Sequence, residues 1–336
     1  MLRVGREPAH AAVPSDPHLC HLSSMSEEST PEGTGPQRRT GYIALIGRPN
    51  AGKSTLMNQL IGQKLSIVTA KAQTTWQRVT GIRTAENVQA VFLDTPGLLV
   101  AKDLLQRGML EEALEAIREA DVIVLLVDAT DPLHEKEKTA IVEALDTSSV
   151  RKFVVINKID AAAPDNIAAA AHWAESELGA EARGISALRD RGVEELWSEL
   201  AGALPEGQFL YPEDDVASAP VRFFVAEFIR ETVFEQFREE IPYSIFAVVE
   251  EFREDQDPVY IQANLFTERN SQKRILVGDK GKAIRELGRA SRKKIQEFIE
   301  RPVYLDLWIK VLPNWRRKRQ HLGQLGLRVP LEDGDA

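Results

Sequence analysis

From Tyr42 onward, short apolar runs alternate with stretches of helical periodicity. The runs at 42–46, 79–84, 88–93, 122–128, 152–157 and 182–185 have strand length and are bounded by turn-forming or polar residues. Between them, 53–61, 103–119, 134–146, 165–178 and 192–203 carry apolar residues at helical spacing. This alternation predicts a mostly parallel sheet covered by helices on both faces. Few residues join 79–84 to 88–93, so that pair is expected to form a hairpin with an antiparallel edge strand.

The pattern changes after Leu204. Residues 205–220 hold Pro205, Gly207, Pro212, Asp214, Asp215 and Pro220 and read as a linker. Beyond it come helix (221–239), strand (243–252), strand (258–267), helix (273–277), a glycine turn, helix (281–300) and strand (303–312), the order of a smaller α+β domain. Residues 1–40 are rich in Pro, Ser, Glu, Gly and Thr without apolar periodicity and are expected to be disordered. Met25 offers a second start, and Glu7 and Asp16 count against a transit peptide. The expected layout is a disordered extension (1–40), an α/β domain (41–204), a linker (205–220), an α+β domain (221–312) and a basic tail (313–336).

Charge adds a face to this layout. The chain carries a net charge of −9, which argues against a protein that coats nucleic acid with its whole surface. Yet Lys273 to Arg319 holds 15 Lys/Arg against 5 Asp/Glu, which concentrates positive charge in the second domain. The one cysteine, Cys20, excludes an intramolecular disulfide and fits a reducing compartment, so the expected location is cytoplasmic. Apolar runs such as Val122–Val127 are too short to span a bilayer. His18, Cys20 and His21 lie close in sequence, but structural zinc takes four spaced ligands, so no metal is assigned there.

Three motifs carry chemistry. Gly47-Arg48-Pro49-Asn50-Ala51-Gly52-Lys53-Ser54 matches G-x-x-x-x-G-K-[ST] between a strand and a helix, where backbone N–H groups and the helix N-terminus face phosphate. Lys53 is expected on the β- and γ-phosphates, Ser54 on Mg²⁺, and Thr55 beside them. Asp94-Thr95-Pro96-Gly97 ends another strand, so that Asp94 reaches Mg²⁺ and the Gly97 N–H senses the γ-phosphate; alone, a helix N-cap at Asp94 or Thr95 followed by a turn would explain it better. Asn157-Lys158-Ile159-Asp160 follows a third strand. A carboxylate at Asp160 accepts both the N1–H and the 2-amino group of guanine, a donor pair that adenine lacks. Asn157 is expected to brace the loop and contact the base edge and the Lys158 stem to cover a base face, while Ser186-Ala187-Leu188 offers a backbone N–H to the guanine oxygen.

In this order the elements resemble the translation-factor-related GTPases, and most closely the Era subfamily, over residues 41 to about 325. The implied fold is a P-loop NTPase domain with a mostly parallel sheet, followed by a type II KH domain. The segment Lys71-Ala72-Gln73-Thr74-Thr75 resembles the first switch of that subfamily, which implies Thr75, or else Thr74, on Mg²⁺. Trp76 departs from the basic residue expected there. Leu98 stands where many GTPases orient water with glutamine, so intrinsic turnover is expected to be slow. Asn50 is a candidate to hold K⁺ near the phosphates; stabilising the loop turn is the competing role.

In the second domain, Gly278-Asp279-Lys280-Gly281 supplies G-x-x-G between two helical segments, weak alone but in the order of a type II KH domain. The glycines would admit an RNA backbone, with Lys280, Lys282 and Arg285 on phosphates and Arg289, Arg292, Lys293 and Lys294 extending the basic surface. Trp315 and the basic residues after it could add stacking or merely solubilise the end. The resemblance implies GTP and GDP as ligands and 16S ribosomal RNA of the 30S subunit, not DNA, as partner. It also implies peripheral contact with the inner membrane face, for which the residues offer no anchor. Competing readings are an assembly factor that binds GTP without turning it over, and a GTPase whose second domain binds protein or membrane.

Overall fold

The computed structural model describes residues 37–69, 71, 73–98 and 101–329. Residues 1–36, with His18, Cys20, His21 and Met25, lie outside the described residues. The first core is a six-stranded sheet of β1 (Arg39–Gly47), β2 (Val79–Ala85), β3 (Val88–Asp94), β4 (Val122–Asp128), β5 (Arg151–Asn157) and β6 (Ala182–Gly184), ordered β2-β3-β1-β4-β5-β6. Neighbouring strands run parallel except for β2, the antiparallel edge of the β2–β3 hairpin. Five helices cover it: α1 (Lys53–Ile61), α2 (Leu104–Glu119), α3 (Glu135–Asp146), α4 (Pro164–Leu178) and α5 (Val193–Ala203).

The continuous apolar runs of β1 and β4 belong to strands buried on both faces. Alternation then sorts their side chains. Ile43, Leu45, Val122 and Val124 pack with Leu56, Met57 and Leu60 of α1 and Leu196 and Leu200 of α5. Ala44, Ile46, Ile123 and Leu125 face Ala113 and Ile117 of α2, Ile141 of α3 and Trp173 of α4. Every motif of this domain sits at or just after the C-terminal end of a parallel strand, where open α/β sheets place their ligands.

The second sheet joins β7 (Ile245–Arg253), β8 (Val259–Thr267) and β9 (Val303–Val311), with β7–β8 antiparallel and β8–β9 parallel. Helices α6 (Val221–Gln236), α7 (Asn270–Val277) and α8 (Lys282–Ile299) complete it, and Leu287 and Ile295 of α8 are fully buried against Phe224, Val225 and Ile229 of α6. The first helix is three residues shorter than the sequence pattern, because Phe237 turns extended at φ −110° and ψ 156°. Conversely, α7 begins at Asn270 rather than 273, since the Gln272 side chain accepts from the Arg269 N–H at 3.0 Å and caps the first turn.

Three expectations about the layout change. Arg39 and Thr40 belong to β1, and the Thr40 N–H reaches the Pro205 carbonyl at 3.0 Å. The linker runs along β2 and β3: the N–H groups of Leu210 and Tyr211 donate to Gln89 Oε1, and the Ile82 N–H donates to Val216 at 2.8 Å. Residues 313–329 are no bare tail either. Trp315 is fully buried, α9 (Arg319–Gln324) follows, and Leu322 and Leu327 pack with Leu105 and Met109 of α2 and Phe246 of β7. Arg316 pairs with Asp103, the N-cap of α2, at 2.6 Å. No helix among the described residues is long and apolar enough to cross a membrane.

Candidate functional site

A cavity of about 560 Å³ opens at the C-terminal end of the large sheet and gathers the three motifs. Pro49, Asn50, Gly52, Lys53, Ser54 and Thr55 form one wall, Thr74, Thr75, Thr95 and Gly97 a second, and Asn157, Lys158, Asp160, Ser186 and Leu188 a third. Gly47, Arg48, Ala51, Asp94, Pro96, Leu98, Ile159 and Ala187 are not among its lining residues. The Arg48 guanidinium is engaged elsewhere, with Asp131 at 2.8 Å and Glu137 at 3.1 Å, so Arg48 can serve the cavity through its backbone and not its charge.

The loop into α1 is folded by close approach. Gly52 has φ +96°, and a Cβ there would fall 2.2 Å from Asn157 Nδ2. That nitrogen donates to the Ala51 carbonyl at 2.8 Å, and Asn157 Oδ1 accepts from the Ala187 N–H at 3.0 Å. One buried carboxamide thus ties the phosphate loop to the 186–188 turn. Gly97 is equally constrained, since a Cβ would lie 2.3 Å from Pro49 N. The Leu98 N–H donates to the Gly47 carbonyl at 3.0 Å, which locks the strand end to the loop.

Charge is concentrated at the bottom. Lys53 Nζ donates to the carbonyls of Gly47 (3.2 Å) and Arg48 (2.9 Å), and burial pulls its pKa down to about 8. The Ser54 hydroxyl donates to Asp94 Oδ2 at 2.7 Å and lies 3.2 Å from Thr75 Oγ1. Asp94 is fully buried, and burial raises its pKa against the opposing pull of Lys53. Among the described residues, its Oδ1 has no hydrogen-bond partner. An unpaired carboxylate oxygen with two hydroxyls converging beside it is a hard oxygen donor set, which fits a magnesium ion. Of the two switch threonines, the structure brings the Thr75 hydroxyl to Ser54, while the Thr74 carbonyl accepts from Arg230.

At the far end, Lys158 adopts φ +65° and its ammonium sits on Asp128 at 2.5 Å. A hydrogen bond with the Ser186 hydroxyl holds the Asp160 carboxyl below its usual range, and Arg189 Nε lies 4.0 Å away. The N–H groups of Ser186 and Ala187 are committed to Arg191 and Asn157.

In the second domain, Gly278 (φ +70°) ends α7 and Gly281 (φ +74°) opens α8, with Asp279–Gly281 forming a single tight turn between them. Arg285 donates to the Lys280 carbonyl at 2.8 Å, which holds the turn closed. Lys280, Lys282, Arg285, Arg289, Arg292 and Lys293 are exposed. Lys294 does not join them, because its ammonium is shared between Glu231 and Glu235, each at 2.7 Å. Trp315 is buried and donates to the Ser244 carbonyl, so its ring is not offered for base stacking.

Residues 42–158 match the family of 50S ribosome-binding GTPases, and residues 240–316 match the KH-domain family. The chain is 39% identical over 307 residues to the GTPase Era of Afipia carboxidovorans, covering 91% of this chain and 99% of that one. It is 39% identical over 283 residues to the GTPase Era of Carboxydothermus hydrogenoformans, covering 83% and 95%. The chain belongs to the Era GTPase family. Two solved Era structures superpose at 36% identity, covering 87% of this chain and all of theirs. One is an Aquifex aeolicus Era variant bound to GDP·AlF₄⁻ (TM-score 0.82), the other Era in complex with MgGDPNP and nucleotides 1506–1542 of 16S ribosomal RNA (TM-score 0.83).

As an Era-family site, the cavity also uses residues that the motifs do not announce. Ile67, Val68, Thr69, Gln73 and Ala161 line it. Residues 67–73 follow α1 without helical or strand periodicity, so only their place between α1 and Thr75 could have signalled them. Trp76, the departure noted above, is buried under the Arg230 guanidinium at 4.0 Å and beside Trp315 at 5.4 Å.

Proposed function

We propose that this chain binds GTP with Mg²⁺ in the cavity, hydrolyses it slowly, and uses its KH domain to hold 16S ribosomal RNA during 30S assembly. Lys53 and the loop N–H groups take the β- and γ-phosphates; Ser54, Thr75 and Asp94 hold the magnesium ion, which neutralises phosphate charge when bound. The Gly97 N–H faces the γ-phosphate. Asp160 accepts the two guanine donors, and the contact to the guanine oxygen falls to the Leu188 N–H. Lys280, Lys282 and Arg285 neutralise RNA phosphates around the Gly278–Gly281 turn. The observation that carries this reading is the convergence of Lys53, Ser54, Thr75 and Asp160 on one cavity, with buried Asp94 accepting from the Ser54 hydroxyl. The Era complex with MgGDPNP and 16S RNA nucleotides supports both ligand classes.

Multiple-turnover phosphate release, lost in Lys53→Ala, tests the enzyme. Steeply salt-dependent RNA binding, weakened by Gly281→Asp, tests the second domain. Sequencing of RNA crosslinked in cells tests the ribosomal assignment, and a spread of unrelated transcripts would overturn it. Asn50, in a left-handed conformation at φ +65° on the cavity wall, is our candidate for K⁺; equal turnover in matched KCl and NaCl buffers removes that role. We place the protein at the ribosome in the cytoplasm. Peripheral contact with the inner membrane face rests on the family resemblance alone.

A further inference from the structure

We propose that Arg230, carried by helix α6 of the KH domain, is a positioning residue for Thr75 in the GTPase site. The inference rests on the reading of Thr75 as a magnesium ligand in the GTP state. Arg230 is 4% exposed and holds both flanks of that threonine. One guanidinium nitrogen donates to the Thr74 carbonyl at 3.0 Å, and the guanidinium plane lies 4.0 Å over the Trp76 ring. The other terminal nitrogen is fixed by Glu227 one turn earlier on the same helix, at 2.5 Å. Thr75 sits between these anchors, 8% exposed, with its hydroxyl turned to Ser54.

The rest of α6 acts in the same direction. Glu231, fully buried, accepts from the Val68 N–H at 3.3 Å and from Lys64 at 2.7 Å, and the Lys71 ammonium donates to the carbonyls of Phe234 and Phe237. Among the described residues between 64 and 76, none belongs to a helix or strand. Their path is set by a helix of the other domain. Magnesium ligation demands an oxygen placed to within a few tenths of an ångström, and a loop achieves that only if its flanking backbone is held. Tryptophan offers the best cation–π face for a guanidinium, whereas a basic side chain at 76 would repel Arg230. The departure at Trp76 is therefore matched to the arginine above it.

The test compares GDP with a non-hydrolysable GTP analogue in Mg²⁺ on the full chain. Arg230→Ala should weaken the analogue about tenfold, the scale of a lost charged hydrogen bond, while leaving GDP unchanged. Arg230→Lys should restore most of the loss. Thr75→Ala should produce the same selective shift, and the double variant no further one. If Thr75→Ala leaves the ratio unchanged, the reading of Thr75 falls, and this inference falls with it. If Thr75→Ala shifts the ratio and Arg230→Ala does not, or Arg230→Ala weakens both nucleotides equally, only the arginine's positioning role is overturned. Trp76→Leu removes the ring without touching the guanidinium, keeping the question answerable if Arg230→Ala fails to fold. A selective loss of the analogue supports the role, and wild-type selectivity overturns it.

Discussion

Asn157 reaches across the cavity floor to donate its Nδ2 to the Ala51 carbonyl at 2.8 Å, and the same carboxamide accepts from the Ala187 N–H at 3.0 Å. Asn157 is 2% exposed, so neither partner finds water if it is removed. Leaving a buried polar group unpaired costs about 1–3 kcal/mol. Asn157→Ala should therefore lower the unfolding free energy by about that amount and weaken GTP at least tenfold, because two walls of the site lose their brace. Denaturant unfolding together with nucleotide titration checks both, and an unchanged GTP affinity would show that the loops hold their places without it.

Asp160 makes a sharper chemical prediction. Its carboxylate accepts two donors from guanine; in xanthine the 2-amino donor is replaced by a carbonyl. Asp160→Asn should lose GTP affinity by about a hundredfold or more and gain affinity for xanthosine triphosphate, since an amide can donate to that carbonyl and accept from N1–H. The Ser186 hydroxyl holds the carboxyl below its usual range, so wild-type GTP affinity should lose nothing to Asp160 protonation at neutral pH and begin to fall only in acid. Competition titrations with both nucleotides decide it, and equal affinities for GTP in the variant and wild type would remove Asp160 from base recognition.

The fold was legible wherever local signals agreed. The apolar runs of β1 and β4, the short β2–β3 connection and the glycines before α1 and α8 each pointed to the element observed. What escaped the sequence depended on partners distant in the chain. The buried side chain at 315 reads as surface-like among Arg316, Arg317, Lys318 and Arg319, and distant partners such as Trp76, Phe246 and Met109 make it core. Lys294 reads as part of a basic stripe until Glu231, 63 residues earlier, claims its charge. The cavity wall around Val68 shows no sequence pattern because contacts with α6, at Val68 and Lys71, hold it in place of periodicity.

Lys53 should couple nucleotide binding to protons. Burial lowers its pKa to about 8, and a polyphosphate beside the ammonium restores the charged form. The ligand therefore binds the protonated lysine better. Affinity for GTP should be level below pH 8 and fall as pH rises above it, with proton uptake on binding in that range. The sign follows from a pKa that is higher in the complex than in the free protein. Titration calorimetry in buffers of different ionisation enthalpy measures the uptake directly; no uptake at pH 9, with Lys53→Ala unaltered, would mean that the free lysine is already fully charged.

Trp315 is the test of whether the last described residues belong to the fold. It is fully buried, donates Nε1 to the Ser244 carbonyl at 3.1 Å, and packs its ring 4.7 Å from Phe246 and 5.4 Å from Trp76. It thus joins the KH sheet to the segment next to Thr75. Trp315→Ala should destabilise by about 3–5 kcal/mol, the scale of a large cavity in a packed core. Trp315→Phe keeps most of the contact area but leaves the Ser244 carbonyl unpaired, so its cost should be smaller, about 1–3 kcal/mol. Chemical denaturation of the three proteins orders these effects. If alanine costs no more than phenylalanine, the ring is not a core element, and residues 313–329 are held instead by Leu322, Leu327 and the Arg316–Asp103 pair.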